Sequence, residues 1–401
     1  MHPWKGLKGL PRALWLIALT TLVNRLGTMA LPFLVLYLTE GRRWTPAEAG
    51  NAMMVYGLGA LTAAPLAGRL ADRLGHGRVL RWSLWLSGAA LLLLPFVAHR
   101  GLLYPLIFLW AGFTQAFWPS AMALITTLVA PEQRKAAFAL HRAAVNLGMA
   151  VGPAAGGLIA HFSYRWVFWT DGISTLLSGL LLAWFLRREK APAPATAPEE
   201  ASRSGWRDRR LMGLVLGLLP AFLVFFQIEG PYPLWVVRDL HLGTGFFGLI
   251  FTLNTVLIVL FEVALNLAMT RWPHGRALAL GCLCYAVGFG ATGLATGRPA
   301  LLGLAAIWTV GEMILLPTAS DAVAGLAPAA RRGEYMGLYA FAFAMALALG
   351  PWLGVKAYAT FGPHWVWIGC AVSATLSALV LGPFRVPKGP ESVTSGASPG
   401  A

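Results

Sequence analysis

The sequence predicts an all-α integral membrane protein, with twelve transmembrane helices in two six-helix pseudo-symmetric bundles. Three observations carry that expectation. The 401 residues are 57% hydrophobic and only 12% charged, with 17 Trp and a mean hydropathy of +0.65, whereas a soluble domain carries roughly 25% charged residues. Apolar runs of about 20 residues, enough to cross a hydrocarbon core roughly 30 Å thick, follow one another along nearly the whole chain. Finally, the octapeptide RLGHGRVL at 73–80 returns as RWPHGRAL at 271–278, a spacing of 271 − 73 = 198 and so close to half the chain.

The first run, 13–38, contains Arg25 and is followed by eleven more, so it reads as a retained helix and not as a cleaved signal peptide. Runs at 47–70, 78–97, 102–129, 136–160 and 164–187 complete a first set of six. Residues 189–206, EKAPAPATAPEEASRSGW, are the longest polar interruption and are rich in Ala, Pro and charge. Six further runs follow at 211–237, 245–270, 277–296, 300–326, 335–357 and 364–384. The tail from Lys388 has a disordered composition. The expected organisation is therefore an N-terminal bundle over 1–188, a cytoplasmic linker over 189–209, a C-terminal bundle over 210–387 and a cytoplasmic tail over 388–401.

A net charge of +15 raises the question of nucleic acid. With the N-terminus placed in the cytoplasm, however, most of the 31 Lys and Arg fall in cytoplasmic segments, the pattern of the positive-inside rule. Basicity is then a topological signal with attraction to anionic headgroups as its side effect, and no nucleic-acid partner is expected. An even number of spans returns the C-terminus to the cytoplasm. The expected setting is the cell (inner or plasma) membrane, as a multi-pass monomer. The three Cys all lie in apolar spans, too few for a disulfide framework, and Cys282 and Cys284 point to different faces of a helix, which argues against a metal pair. No metal or cofactor is expected.

If the halves are copies, other landmarks should recur at the same spacing. Pro119 matches Pro317, Gly152-Pro153 matches Gly350-Pro351, and Gly156 matches Gly354. Internal repeats in a multi-span chain mark secondary transporters, whose two bundles rock around a site near the midplane.

The stretch GRLADRLGHGRVL at 68–80 resembles the signature loop of the major facilitator superfamily, whose Gly-x-Leu-Ala-Asp-Arg-x-Gly core is matched by Gly68, Leu70, Ala71, Asp72, Arg73 and Gly75. The two basic residues expected after the second Gly are replaced by His76 and Gly77, with Arg78 one place late, and Thr270 stands where the second copy would have its Asp. The resemblance implies that Gly68, Asp72, Arg73, Gly75 and Arg78 gate the conformational change. NLGMAVGPAAGG at 146–157 is similar to the Gly-rich motif of the drug:proton antiporter branch. There Gly148, Gly152, Gly156 and Gly157 let a neighbouring helix approach and Pro153 permits a kink; generic close packing explains the glycines equally well. Residues 311–337 look like the tenth span and following loop of bacterial multidrug exporters. An Arg four residues before a Gly in the fourth span, frequent in that branch, is missing: four before Gly112 stands Phe108.

Charges inside spans are costly, on the order of 3 kcal/mol each, and so usually face a cavity or a partner. Arg25, Glu229, Glu262 and Glu312 are the proton-coupling candidates. The resemblance implies that spans one, four, seven and ten line a central cavity, which would put Arg25, Glu229 and Glu312 in one chamber, with Asn24, Gln115, Trp118 and Gln227 as polar and stacking contacts to substrate. Arg25 as the movable counter-charge of Glu312 is the sharpest version. Against it stand plainer readings: Arg25 as a structural ion-pair partner, Glu312 as a packing or hinge element, His141-Arg142 as solvated near the surface, and Asp171 and Asp321 as structural.

The sequence contains no phosphate-binding Gly-x-x-x-x-Gly-Lys-Ser/Thr loop, no His-Glu-x-x-His and no Gly-x-Ser-x-Gly, so no enzyme chemistry is indicated. The expected function is proton-coupled export of lipophilic or cationic small molecules by alternating access. The alternatives are transport of a polar metabolite such as a sugar or peptide, or, from another class, a lipid scramblase or membrane enzyme on the same scaffold.

Overall fold

The computed structural model describes residues 9–130, 133–186, 207–328 and 331–385; most of the expected linker and the whole expected tail lie outside them. Among the described residues, twelve helices of 16 residues or more follow in order. They are α1 (Arg12–Gly27), α2 (Pro46–Leu74), α3 (His76–Leu93), α4 (Arg100–Leu128), α5 (Arg134–Phe162), α6 (Tyr164–Leu186), α7 (Arg209–Phe225), α8 (Thr244–Ala268), α9 (His274–Gly290), α10 (Arg298–Leu326), α11 (Arg332–Phe361) and α12 (Pro363–Leu381). Ten of these segments, α3 to α12, are long and apolar enough to cross a membrane unaided. Large apolar side chains such as Phe162, Leu294 and Leu379 stand exposed, as they must where lipid is the solvent.

The first and seventh spans depart from the continuous helices expected over 13–38 and 211–237. After Gly27 the chain unwinds, and helix resumes as a short turn at Leu34–Leu36 and a π-helical turn at Tyr37–Gly41. After Phe225 it tightens into a 3₁₀ turn at Phe226–Glu229, then passes through Pro231–Pro233 into a π-helical turn at Leu234–Asp239. The two breaks are copies: positive φ occurs at Arg43 (56°) and again at His241 (53°), 241 − 43 = 198 residues apart. Backbone freed by unwinding in a membrane must find partners. At the first break the Asp171 carboxylate of α6 accepts from the Met29 and Ala30 N–H groups at 3.2 and 3.0 Å. The Arg42 side chain closes the end of that span, donating to the Tyr37 hydroxyl and to the carbonyls of Leu94, Pro95 and Val97. At the second, Gln227 Nε2 donates to the carbonyls of Leu223 and Gly350 at 2.7 and 2.8 Å.

Packing repeats with the sequence. In the first half α1 packs on α5 and α6, α2 on α4, and α3 on α4 and α6; in the second half α7 packs on α11 and α12, α8 on α10, and α9 on α10 and α12. The halves meet through α2 against α11 and α5 against α8. At one end this meeting is backbone on backbone. A Cβ at Gly57 would stand 2.0 Å from Ala348 Cα, one at Gly157 would stand 2.5 Å from the Thr244 carbonyl, and Thr244 Oγ1 donates to the Gly157 carbonyl at 2.8 Å. Trp352 Nε1 adds a bond to Asn51 Oδ1 at 3.1 Å. At the other end, where Arg69, Arg73, Arg78, Arg134, Arg209, Arg276 and Arg332 cluster, the α5–α8 contact is carried by side chains.

Candidate functional site

The recurring Gly-Pro landmarks explain themselves first. On α5, Cβ atoms at Gly148, Gly152 and Gly156 would lie 2.3 Å from Arg25 Cβ, 2.8 Å from the Arg25 carbonyl and 2.6 Å from Met29 Cβ, so these three glycines seat α5 on the break in span one. Gly350 and Gly354 on α11 seat that helix on the break in span seven, against Leu223, Phe226 and Gln227. Gly157 turns instead to the other half, onto Thr244. Pro153 lies within α5, which runs through it unbroken.

Arg25, two residues before α1 ends, is wedged between rings. Its guanidinium carbon lies 5.7 Å from the Phe117 ring centre and 5.8 Å from that of Trp118, distances at which cation–π attraction operates. Its buried Nε has no hydrogen-bond partner among the described residues. The buried Tyr56 of α2 lies within electrostatic reach of both Arg25 and Glu229, one from each half. Glu229 closes the 3₁₀ turn of span seven, with Oε2 buried and unpartnered among the described residues. Gln115 is half-buried on α4, one turn from the exposed Trp118.

Glu312 sits elsewhere. In the middle of α10, its Oε2 accepts from Asn254 Nδ2 of α8 at 2.8 Å, and the same amide reaches Thr309 Oγ1 at 3.2 Å. Glu262 of α8 is within electrostatic reach of Glu312. It is buried, and its Oε1 pairs with Arg142 of α5, across the two halves. This corrects two expectations. The Arg25 guanidinium packs on Phe117 and Trp118, whereas Glu312, in an α10 that runs unbroken, bonds to Asn254 and lies near Glu262, whose cation is Arg142. Nor is Arg142 merely solvated: α5 and α8 pack antiparallel, which brings residues 120 apart to one depth.

Asn24 and Gln227 are also reassigned. Asn24 is buried and donates to Thr175 Oγ1 at 3.1 Å, while Gln227 serves the unwound backbone as described above; the bonds of both hold helices together. Of the expected gating set, Gly75 joins α2 to α3 at φ 90°, a conformation that favours Gly, while Arg73 and Arg78 are exposed. The side chains at Gly68 and Asp72 lie outside the described residues. In the second copy of the octapeptide His274 Nε2 meets Asp321 Oδ2 at 2.9 Å.

Asn254, Thr309, Tyr56 and Arg142 were not singled out by the sequence as functional. The first three are neutral, so they leave no anomaly in a hydropathy profile. Arg142 was visible but lacked a visible partner.

Comparison with known proteins places the architecture. The profile described as Major Facilitator Superfamily matches residues 17–247 and 228–400. The chain is 22% identical over 387 residues to the Na(+), Li(+), K(+)/H(+) antiporter of Planococcus maritimus, covering 88% of this chain and 90% of that one. It is 25% identical over 324 residues to the multidrug resistance protein MdtH of Salmonella typhimurium, covering 79% of each. The crystal structure of peptide transporter POT in complex with sulfate superposes with a TM-score of 0.79 at 17% identity, over 94% of this chain and 95% of that one. That likeness is one of fold alone.

Proposed function

Because the chain belongs to the major facilitator superfamily of membrane transporters, we propose that it exports lipophilic or cationic small molecules in exchange for protons, by alternating access. Its relatives are transporters and not enzymes. The observation that carries the reading is the Glu312 environment. A carboxylate at mid-span is costly unless a cation meets it, and here its bonded partner is the neutral amide of Asn254. A proton and a cationic substrate are the two species that satisfy such a group in turn, and exchange between them is antiport.

Glu262 and Arg142 connect that competition to the rocking motion, since their pair spans the halves. Glu229 and Tyr56 form a second inter-half neighbourhood beside Arg25. Names of relatives support the same class: one exchanges alkali cations for protons and another confers multidrug resistance. The setting that fits this role is the cell membrane, with both termini on the arginine-rich, cytoplasmic side and a single chain sufficing.

Proteoliposomes with an imposed pH gradient supply the test. Lipophilic cations, sugars and small peptides are offered in parallel, and lipophilic cations are the expected substrates. Glu312→Gln should lose proton-driven accumulation while keeping gradient-free substrate exchange. Accumulation at the wild-type level in Glu312→Gln would move the proton carrier to Glu229 or Glu262, and accumulation of sugars or peptides instead of cations would overturn the substrate class.

A further inference from the structure

We propose that the cavity where α7 begins and α12 ends binds a phosphate-bearing anion, with the headgroup of an anionic phospholipid as its source. The cavity has a volume of about 530 Å³ and is lined by Arg209, Arg210, Gly213, Val380, Leu381, Pro383, Phe384 and Arg385. Three arginines thus line one hollow at the arginine-rich end of the bundle. None of the three forms a salt bridge among the described residues. Asp208, next to Arg209 in sequence, is already engaged: its Oδ1 accepts from the Arg210 and Leu211 N–H groups at 2.8 and 3.3 Å, and Oδ2 accepts from the Tyr335 hydroxyl at 2.7 Å.

One wall of the hollow is legible in the repeat. Gly213 stands 213 − 15 = 198 residues after Trp15, so the second half has a hydrogen where the first has an indole. Nothing lies within 4 Å of a Cβ built on Gly213. The opposite wall is held by the second octapeptide. A Cβ on Gly275 would stand 2.8, 2.5 and 2.4 Å from the carbonyl oxygens of Leu381, Gly382 and Phe384, so only Gly lets α9 pin the segment that carries Arg385. That close approach fixes the segment carrying Arg385 against α9.

Guanidinium forks match phosphate oxygens in geometry and charge, and basic hollows between spans on the arginine-rich side are where lipid headgroups are met. The rim favours a lipid over a free ion. Val380 is 58% exposed, and Leu216, one turn from Gly213 on α7, is 59% exposed, which offers an apolar track for acyl chains beside the charged hollow. This site is independent of the transported substrate.

The test uses the purified full chain in detergent, followed by thermal unfolding with added phosphatidylglycerol, phosphatidylcholine or inorganic phosphate. Phosphatidylglycerol should raise Tm by several degrees and phosphatidylcholine should not, because a ligand of the native state stabilises by mass action. Two variants remove the effect by different routes: Arg209→Gln/Arg210→Gln/Arg385→Gln takes away the charge, and Gly213→Trp fills the hollow while leaving every charge in place. Both should unfold at the wild-type temperature without lipid and lose the shift with it. A full shift from inorganic phosphate alone would support the anion site and assign it to free phosphate. Equal shifts from both lipids, or a wild-type shift in both variants, would overturn the proposal.

Discussion

Arg142 of α5 and Glu262 of α8 form an ion pair that joins the two halves of the molecule. The Arg142 side chain is 61% exposed and that of Glu262 12%, so the partners are unequally committed. An exposed pair contributes at most about 1 kcal/mol, but a buried carboxylate stripped of its cation costs more than the pair itself contributes. Arg142→Gln should therefore slow transport on the order of tenfold, and Glu262→Gln by about threefold. The exchanged variant Arg142→Glu/Glu262→Arg should recover most of the loss. Initial rates in proteoliposomes, with a spin-label distance between α5 and α8, measure both.

Asn254 is predicted to matter as much as a charge. It donates to Glu312, and a hydrogen bond to an ionised group contributes about 1.5–3 kcal/mol. Asn254→Leu should reduce proton-driven accumulation by about tenfold or more at unchanged protein level. Thr309→Val leaves the Asn254–Glu312 bond in place and should keep the rate within about twofold. The two variants compared at equal expression separate a role at Glu312 from general damage to the α8–α10 seam.

Replacing the glycines of α5 should act through sterics. Leu at Gly152 or Gly156 would press into the unwound segment after α1, and overpacking costs about 1–3 kcal/mol. Transport should fall along with Tm. Gly369, on α12 with nothing within 4 Å of its built Cβ, is the control: Gly369→Leu should stay within about 0.5 kcal/mol. Unfolding curves in one detergent give the comparison.

Acid stability should depend on Asp208, which lies just outside the span it caps. Burial raises its pKa, but the Tyr335 hydroxyl and the Arg210 and Leu211 N–H groups outweigh that and hold the carboxyl below its ordinary 3.8. A depressed folded-state pKa gives stability that is present above the unfolded value and lost as pH falls through the folded one. Tm should therefore decline below about pH 4, and Asp208→Asn should lower the plateau and flatten that decline. Tyr335→Phe should do so in part. Thermal unfolding from pH 3 to pH 6 measures it.

How much of this was legible depends on what kind of residue carried it. Twelve spans could be read because each is a long apolar run, and the doubling because Pro119, Gly152 and Gly156 have partners 198 residues on. The break in span seven was also written there, in Gly230-Pro231-Tyr232-Pro233, a sequence that cannot continue a regular helix. The break in span one has the weaker signal of Gly27 and Pro32 in an otherwise apolar run. Partnerships were the hidden part. Arg142 and Glu262 are 120 residues apart, and no local periodicity connects them; the antiparallel contact of α5 with α8 does. Arg25 and Glu312 illustrate the converse: the resemblance put both on cavity-lining spans, and their contacts run to other residues, Phe117 and Trp118 for Arg25 and Asn254 for Glu312.

The two ends of the inter-half seam differ in what water and ions can do to them. One end is sealed by glycine against backbone and by neutral hydrogen bonds such as Thr244 to Gly157; the other carries Arg142 and Glu262. Screening, with a Debye length near 8 Å at physiological ionic strength, weakens charge pairs and leaves steric seals alone. Ionic strength should therefore act on one side of this molecule: added salt is expected to weaken the Arg142–Glu262 end of the seam and to leave the glycine-sealed end unchanged.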